Sequence, residues 1–259
     1  MAKFNIDIAR FASHVSASIN NDLVADGALT LAHEGRLRIQ WAPFDYTPST
    51  ARLVIVGITP GREQAGNALR AIGQALREGR DLGAAMRHAK LVGSFSGHLR
   101  NNMVKMLDSI KLHQALGVAT CASLFDPANE QVHFTSALRY PVFVDDENYN
   151  GNPDMLRTPL LRDMVETFLA EEVRALPGAL WLPLGPKPTA ALRHLIALGM
   201  LSSDRVLEGT PHPSGANAER IKFFLGEKAR ADLSNKTNPD LIDSARKTLL
   251  DQVGRLRSA

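Results

Sequence analysis

The run Arg52-Leu-Val-Ile-Val-Gly57 places four apolar residues in a row, three of them β-branched. A strand with one wet face would alternate polar and apolar residues, so this one is read as buried on both faces, inside a parallel sheet. Parallel strands need long crossovers, and the sequence supplies them. A mostly helical region covers 62–117, with Leu99, Met103, Met106, Leu107 and Ile110 on one face. After it come VHFTSAL at 132–138, ALWLPLG at 179–185 and RVLEG at 205–209, each short and each separated from the next by helical pattern. Four short strands alternating with helices predict an α/β fold: three layers, α/β/α, around a short, mostly parallel four-stranded central sheet. Upstream, Ile8, Phe11, Val15, Ile19 and Leu23 recur at helical spacing and predict a helix ending near Asp26-Gly27. LRIQWAPFDYTPST then reads as a loop, and the tail over 236–257 as a charged helix. With no internal repeat and no compositional break, one domain over 1–259 is expected, its core spanning about 40–228.

In a parallel sheet, ligands bind beyond the carboxyl ends of the strands. Each strand here ends in an unusual loop: GITPGREQAGN, TSALRYPVF, LGPKPTAAL and GTPHPSGANAER. Gly57, Pro60 and Gly61 suit a tight turn that lets backbone approach a ligand. The turn has neither the Gly-Lys-Ser/Thr ending of a Walker loop nor a G-x-G-x-x-G fingerprint, which argues against a nucleotide cofactor. His212 stands between Pro211 and Pro213, which fix φ and remove two backbone donors, so its side chain is aimed from a stiff, extended turn. Ser214, Gly215 and Asn217 are good helix-capping types, and Ile221, Phe224 and Leu225 follow at helical spacing. His212 is thus expected at a strand-to-helix junction whose free N–H groups favour anions.

Composition narrows the chemistry further. The single cysteine, Cys121, excludes an internal disulfide and any all-cysteine zinc or iron–sulfur site, and makes a reducing compartment the expectation. His88, His98 and His113 lack metal-ligand spacing and read as surface residues, so no metal is expected. A formal charge of +3 permits a polyanionic partner without requiring one. No apolar run approaches the ~20 residues of a membrane span, so no membrane partner is expected and the protein reads as cytoplasmic. Arg139, at the end of the second strand, is read either as a phosphate contact or as the partner of a carboxylate. The acidic stretch VDDENYNGNPDM, 144–155, reads as a loop near the strand-end edge, placed to limit access to a pocket.

The ordered set VIVGITPG, GSFSG at 93–97, HFTSALRYP, LWLPLG and HPSGANAER resembles the uracil-DNA glycosylase superfamily over roughly residues 40–228. The pattern is most similar to the branch that normally carries an iron–sulfur cluster, which one cysteine cannot build. The resemblance implies an enzyme, expected as a monomer without cofactors, that flips a damaged base out of DNA and hydrolyses its N-glycosidic bond. Because the base departs as an anion, a donor must stabilise negative charge on it. Residue by residue, the resemblance gives this donor role to His212 as a neutral imidazole. It implies stacking of the base on Phe95 and a base-binding loop of Gly57, Ile58, Pro60 and Gly61. Ser136 stands where the family usually has a base-reading asparagine, which implies looser discrimination than strict uracil recognition. Thr59 stands where many members carry an aspartate or asparagine that positions the attacking water, and some branches carry alanine. Glu63 is read as a substitute acid or as a solvated residue favoured by the helix dipole. Phosphate contacts would come from Ser214, Gly215 and Asn217, with Arg220 or Lys222 as salt partners. The departures at 59 and 136 keep open a second reading, a protein of this fold that binds nucleic acid or nucleotide without excising a base.

Overall fold

A computed structural model gives the structure of residues 4, 6–18, 22–94, 98–126 and 130–256, without the side chains of His98 and Leu99. In chain order the elements are α1 Ile8–Ala17, β1 Thr30–Glu34, β2 Leu37–Gln40, β3 Leu53–Gly57, α2 Arg62–Arg77, α3 Leu82–Gly93, α4 His98–Ser109 and α5 Leu112–Ala115. There follow β4 Val132–Ser136, β5 Val142–Val144, β6 Glu147–Asn148, α6 Pro159–Met164, α7 Ala170–Ala175, β7 Leu180–Pro183, α8 Pro186–Ala197, α9 Ala218–Phe224 and α10 Pro239–Leu256. They pack as two compact units. One comprises Met1–Thr47, Gly57–Ser94 and Thr135–Glu172; the other comprises Pro48–Val56, Phe95–Phe134 and Val173–Ala259. Among the described residues no helix is long and apolar enough to cross a membrane.

The second unit is built on the predicted strands. A three-stranded sheet has the order β4-β3-β7, and β3 pairs in parallel with β7, from Leu53 opposite Leu180 to Val56 opposite Pro183. Leu53, Val54, Ile55 and Val56 are fully buried, as an unbroken apolar run in a central strand requires. Met103, Met106 and Leu107 of α4 and Ile110 just past its end join this core, together with Leu249 and Val253 of α10. The expected strand over 205–209 is reduced to a single parallel bridge, Val206 opposite Trp181, with the Leu207 N–H donating to the Trp181 carbonyl at 2.8 Å. Two features end it. Gly209 takes φ +107°, outside the β region of other residues, and Gln252 of α10 donates to the Val206 carbonyl at 3.3 Å. A Cβ at Gly209 would stand 2.7 Å from the Cβ of Ala245. Gly209→Ala combines a disallowed φ with this clash and is expected to destabilise the chain by more than ~1 kcal/mol, read as a lower urea midpoint; an unchanged midpoint would mean α10 yields freely.

The first unit holds a sheet the sequence did not announce. β1, β2, β5 and β6 form an antiparallel sheet in that order. Leu37-Arg-Ile-Gln40, expected within a loop, is therefore a strand: Leu37 and Ile39 are buried, while Arg38 turns out to meet Asp146 at 2.8 Å. Helix α1 also stops earlier than its periodicity predicts. Ser18 is extended after Ala17, and Leu23 sits in a separate turn capped by the Asp22 side chain, a competition with helix typical of short polar residues. Phe11 of α1 stacks on the buried Trp41, ring centroids 5.2 Å apart.

Candidate functional site

Within the first unit, the loop after β3 is stitched to the segment after β4. The Ala137 and Leu138 N–H groups donate to the carbonyls of Gly57 and Ile58 at 2.8 and 2.9 Å, carrying the parallel ladder past the strand end. Thr59 locks the next step. Its hydroxyl donates to the Tyr140 carbonyl at 3.0 Å and accepts the Val142 N–H at 3.2 Å. The proton of Thr59 is thus held by protein, and the water-orienting role expected of it has only a remaining lone pair to draw on. Pro60 is buried, while Gly57 and Ile58 stay partly accessible and Ser136 is buried at the end of β4. At the start of α2, the Gly61 N–H donates to Gln64 at 3.1 Å and the Arg62 N–H to Asn148 at 2.8 Å. These two side chains occupy donors that the tight turn was expected to leave open to a ligand. Glu63 is exposed in the first turn of α2. Phe95 lies outside the described residues.

Asn148 gives the 144–155 stretch a structural role. β5 and β6 are joined by Asp145-Asp146, both at positive φ, the signature of a two-residue hairpin turn. Asp145 pairs with Arg36 and Asp146 with Arg38, and the hairpin places Asn148 on the first turn of α2.

Behind the same loops lies a buried ionic network that includes groups not singled out from the sequence. Arg139 is buried and donates to Glu172 at 2.9 Å, to Glu171 at 3.1 Å and to the Phe168 carbonyl at 2.9 Å. Of the two readings left open for Arg139, pairing with carboxylates is the one observed. The Tyr140 hydroxyl donates to Asp45. Lys90, on the apolar face of α3, donates to the carbonyls of Phe44 and Tyr46 at 2.8 and 2.6 Å and so grips the chain on both sides of Asp45. Burial raises the Asp45 pKa against the opposing bond from Tyr140. Burial also lowers Lys90 to about 8, against the attraction of Glu172 and Asp45. Tyr140 connects this network to Thr59, and the Ser94 hydroxyl bonds to the Lys90 carbonyl at the end of α3.

A pH dependence follows. The folded chain holds the Lys90 proton less tightly than the unfolded chain, so Lys90 makes stability rise as pH climbs from about 8 toward its ordinary 10.5. Urea midpoints at these two pH values are expected to show the rise in the native chain and not in Lys90→Met. Parallel behaviour of the two proteins would contradict it.

Within the second unit, His212 is half-buried and its ring is oriented by the backbone. The Ser214 N–H donates to His212 Nδ1 at 3.2 Å, so Nδ1 is the acceptor and the ring proton of the neutral form sits on Nε2. Burial pushes the His212 pKa down, which favours that neutral form. Asn102 of α4 donates to the Pro213 carbonyl at 2.9 Å and braces the turn. Ser214, Asn217 and Arg220 form a chain: Asn217 donates to the Ser214 hydroxyl at 3.2 Å, and Arg220 donates to Asn217 at 2.9 Å and to the Lys236 carbonyl at 3.0 Å. Gly215 and Arg220 are exposed. Asn102 was not flagged by the sequence; its only signal is an amide one position from the buried Met103. Cys121 is buried, and burial beside Asp108 pushes its thiol pKa up, so it is no nucleophile.

No protein-family model matches the sequence, and no solved structure matches it significantly. Among curated proteins, Uncharacterized protein YoxB of Bacillus subtilis (strain 168) is 34% identical over 233 residues, covering 89% of this chain and 91% of YoxB. At that identity and coverage, the chain belongs to the same family as YoxB.

Proposed function

We propose that the protein is a DNA glycosylase of the uracil-DNA glycosylase type. It would take a deaminated or damaged base from a flipped nucleotide and hydrolyse its N-glycosidic bond, on a uracil-DNA-glycosylase-like sheet whose fourth member is the 205–209 segment. The observation that supports this best is the tautomer of His212. With Nδ1 occupied by the Ser214 N–H, the neutral ring presents Nε2–H as a fixed donor, the chemistry needed where a departing base gathers negative charge. Gly57, Ile58, Pro60 and Gly61 form the base-binding loop in this reading, with Phe95 stacking and Ser136 reading the base edge. Ser214, Gly215, Asn217 and Arg220 take phosphate.

Thr59 favours a second reading. Its hydroxyl already serves Tyr140 and Val142, which leaves no strong base for water and supports a nucleic-acid or nucleotide binder without excision. One experiment separates the two. Labelled oligonucleotides with uracil, hypoxanthine or xanthine, as single strands and in mismatches, are incubated with protein and cleaved with alkali. Strand cuts lost in His212→Ala support the glycosylase; salt-dependent DNA retention with no abasic product supports the binder; neither result would sink both.

A further inference from the structure

Arg52 and Arg205 occupy equivalent places in the second unit. Arg52 immediately precedes β3, and Arg205 immediately precedes Val206, so the two arginines flank the start of β7 from either side. With β7 between them, the two backbones stand two inter-strand spacings, roughly 10 Å, apart, a span that two arginine side chains lining one cavity can bridge onto one ligand. They line a single cavity of about 440 Å³ at the amino-terminal end of the strands, away from the edge that bears the His212 loop. That volume lies within the usual ligand-pocket range of roughly 300–1,000 Å³.

Among the described residues, each guanidinium bonds to a single carbonyl. Arg52 Nη1 donates to the Leu116 carbonyl at 2.6 Å, and Arg205 Nη1 to the Gly178 carbonyl at 3.1 Å. Neither makes an ion pair among the described residues. Elsewhere Arg36, Arg38, Arg139, Arg193 and Arg230 meet carboxylates, while Arg62, Arg70, Arg77 and Arg220 bond only to carbonyls or amides among the described residues; what distinguishes Arg52 and Arg205 is that the two share one cavity. Capping the ends of α5 and of the Leu176-Pro177-Gly178 turn would account for one donor on each arginine. It does not account for two guanidiniums in one cavity that make no ion pair among the described residues. Ser49 adds a hydroxyl at the rim, and Leu116, Leu176, Leu180 and Leu256 supply apolar wall.

We infer that this cavity binds a small oxyanion carried on an apolar or aromatic body, a carboxylate or a phosphate monoester. The two guanidiniums hold the oxyanion, and the leucine wall covers the body. The site is independent of base excision and of the His212 loop.

Titration calorimetry on the full chain with benzoate, adenosine monophosphate and inorganic phosphate tests it. Saturable binding of benzoate or of the monophosphate is expected, and whichever binds more tightly names the source of the oxyanion. Losing a charge-assisted pair should weaken that binding about tenfold or more for each of Arg52→Ala and Arg205→Ala. Arg52→Lys and Arg205→Lys keep the charge at the surface and preserve folding, and should retain part of the affinity. Three results would overturn the inference: no saturable binding of any probe, binding unchanged in the double alanine variant, or inorganic phosphate binding as tightly as both larger probes.

Discussion

Arg139→Ala is expected to lower the stability of the folded chain by about 3–5 kcal/mol, the cost of stranding a buried charge. Glu172, almost fully buried, loses the guanidinium that donates to it at 2.9 Å, and the Phe168 carbonyl loses a donor at the same distance. Lys90 remains as a nearby cation but is already committed to Phe44 and Tyr46. The double change Arg139→Met with Glu172→Leu removes both charges together and should recover much of the loss. Urea unfolding of the three proteins measures this directly. A loss under about 1 kcal/mol in Arg139→Ala would place the pair in the class of weak surface bridges. The same variant also reaches the candidate site, since Arg139 precedes Tyr140 and the Tyr140 carbonyl holds Thr59.

The second large effect concerns His212. Under the glycosylase reading, His212→Ala should reduce excision by about 10²–10³-fold, the usual cost of removing one donor from a developing anion. DNA affinity should stay near that of the native chain, because the phosphate contacts assigned to Ser214, Gly215, Asn217 and Arg220 remain. The pH dependence has a defined sign. Burial lowers the His212 pKa, so at neutral pH the ring is uncharged, with Nδ1 free to accept from Ser214. Below that pKa the imidazolium carries N–H on both ring nitrogens, so Nδ1 no longer accepts the Ser214 N–H and the bond that aims the Nε2 donor is broken. Excision should therefore hold steady through neutral pH and fall in acid. Single-turnover rates across pH check this, and a rate that rises as His212 becomes protonated would identify a general acid instead.

Which parts of this could be read from the sequence follows from where their signals lie. β3 and β7 declare themselves through unbroken apolar runs, and α4 through Met103, Met106, Leu107 and Ile110 at helical spacing; these are local patterns. β2 pairs with β5, about a hundred residues further along the chain, and nothing near Leu37 announces that partner. The 205–209 segment has strand composition, yet Gly209 at φ +107° and the approach of α10 hold it to one bridge. At the site, the two prolines around His212 made a stiff turn legible, but the bond that selects its tautomer depends on the Ser214 N–H and had no residue-type signature. The buried network was hidden for a similar reason. Lys90 reads as an ordinary helix lysine until its position is noted, one turn beyond Met86 and one turn before Gly93 on the buried face of α3. Asp45 stands among Trp41, Ala42 and Phe44, and an acid in so apolar a stretch was the available clue.

Excision itself is the measurement closest to the central claim. Native protein and His212→Ala are each incubated with uracil-, hypoxanthine- and xanthine-containing oligonucleotides, and abasic product is quantified under single-turnover conditions near pH 7.5. The expected result is product from at least one damaged base, with the rate reduced about 10²–10³-fold in His212→Ala. Absence of product from every substrate, or equal rates in the two proteins, would contradict the assignment of His212 as the donor that stabilises a departing base.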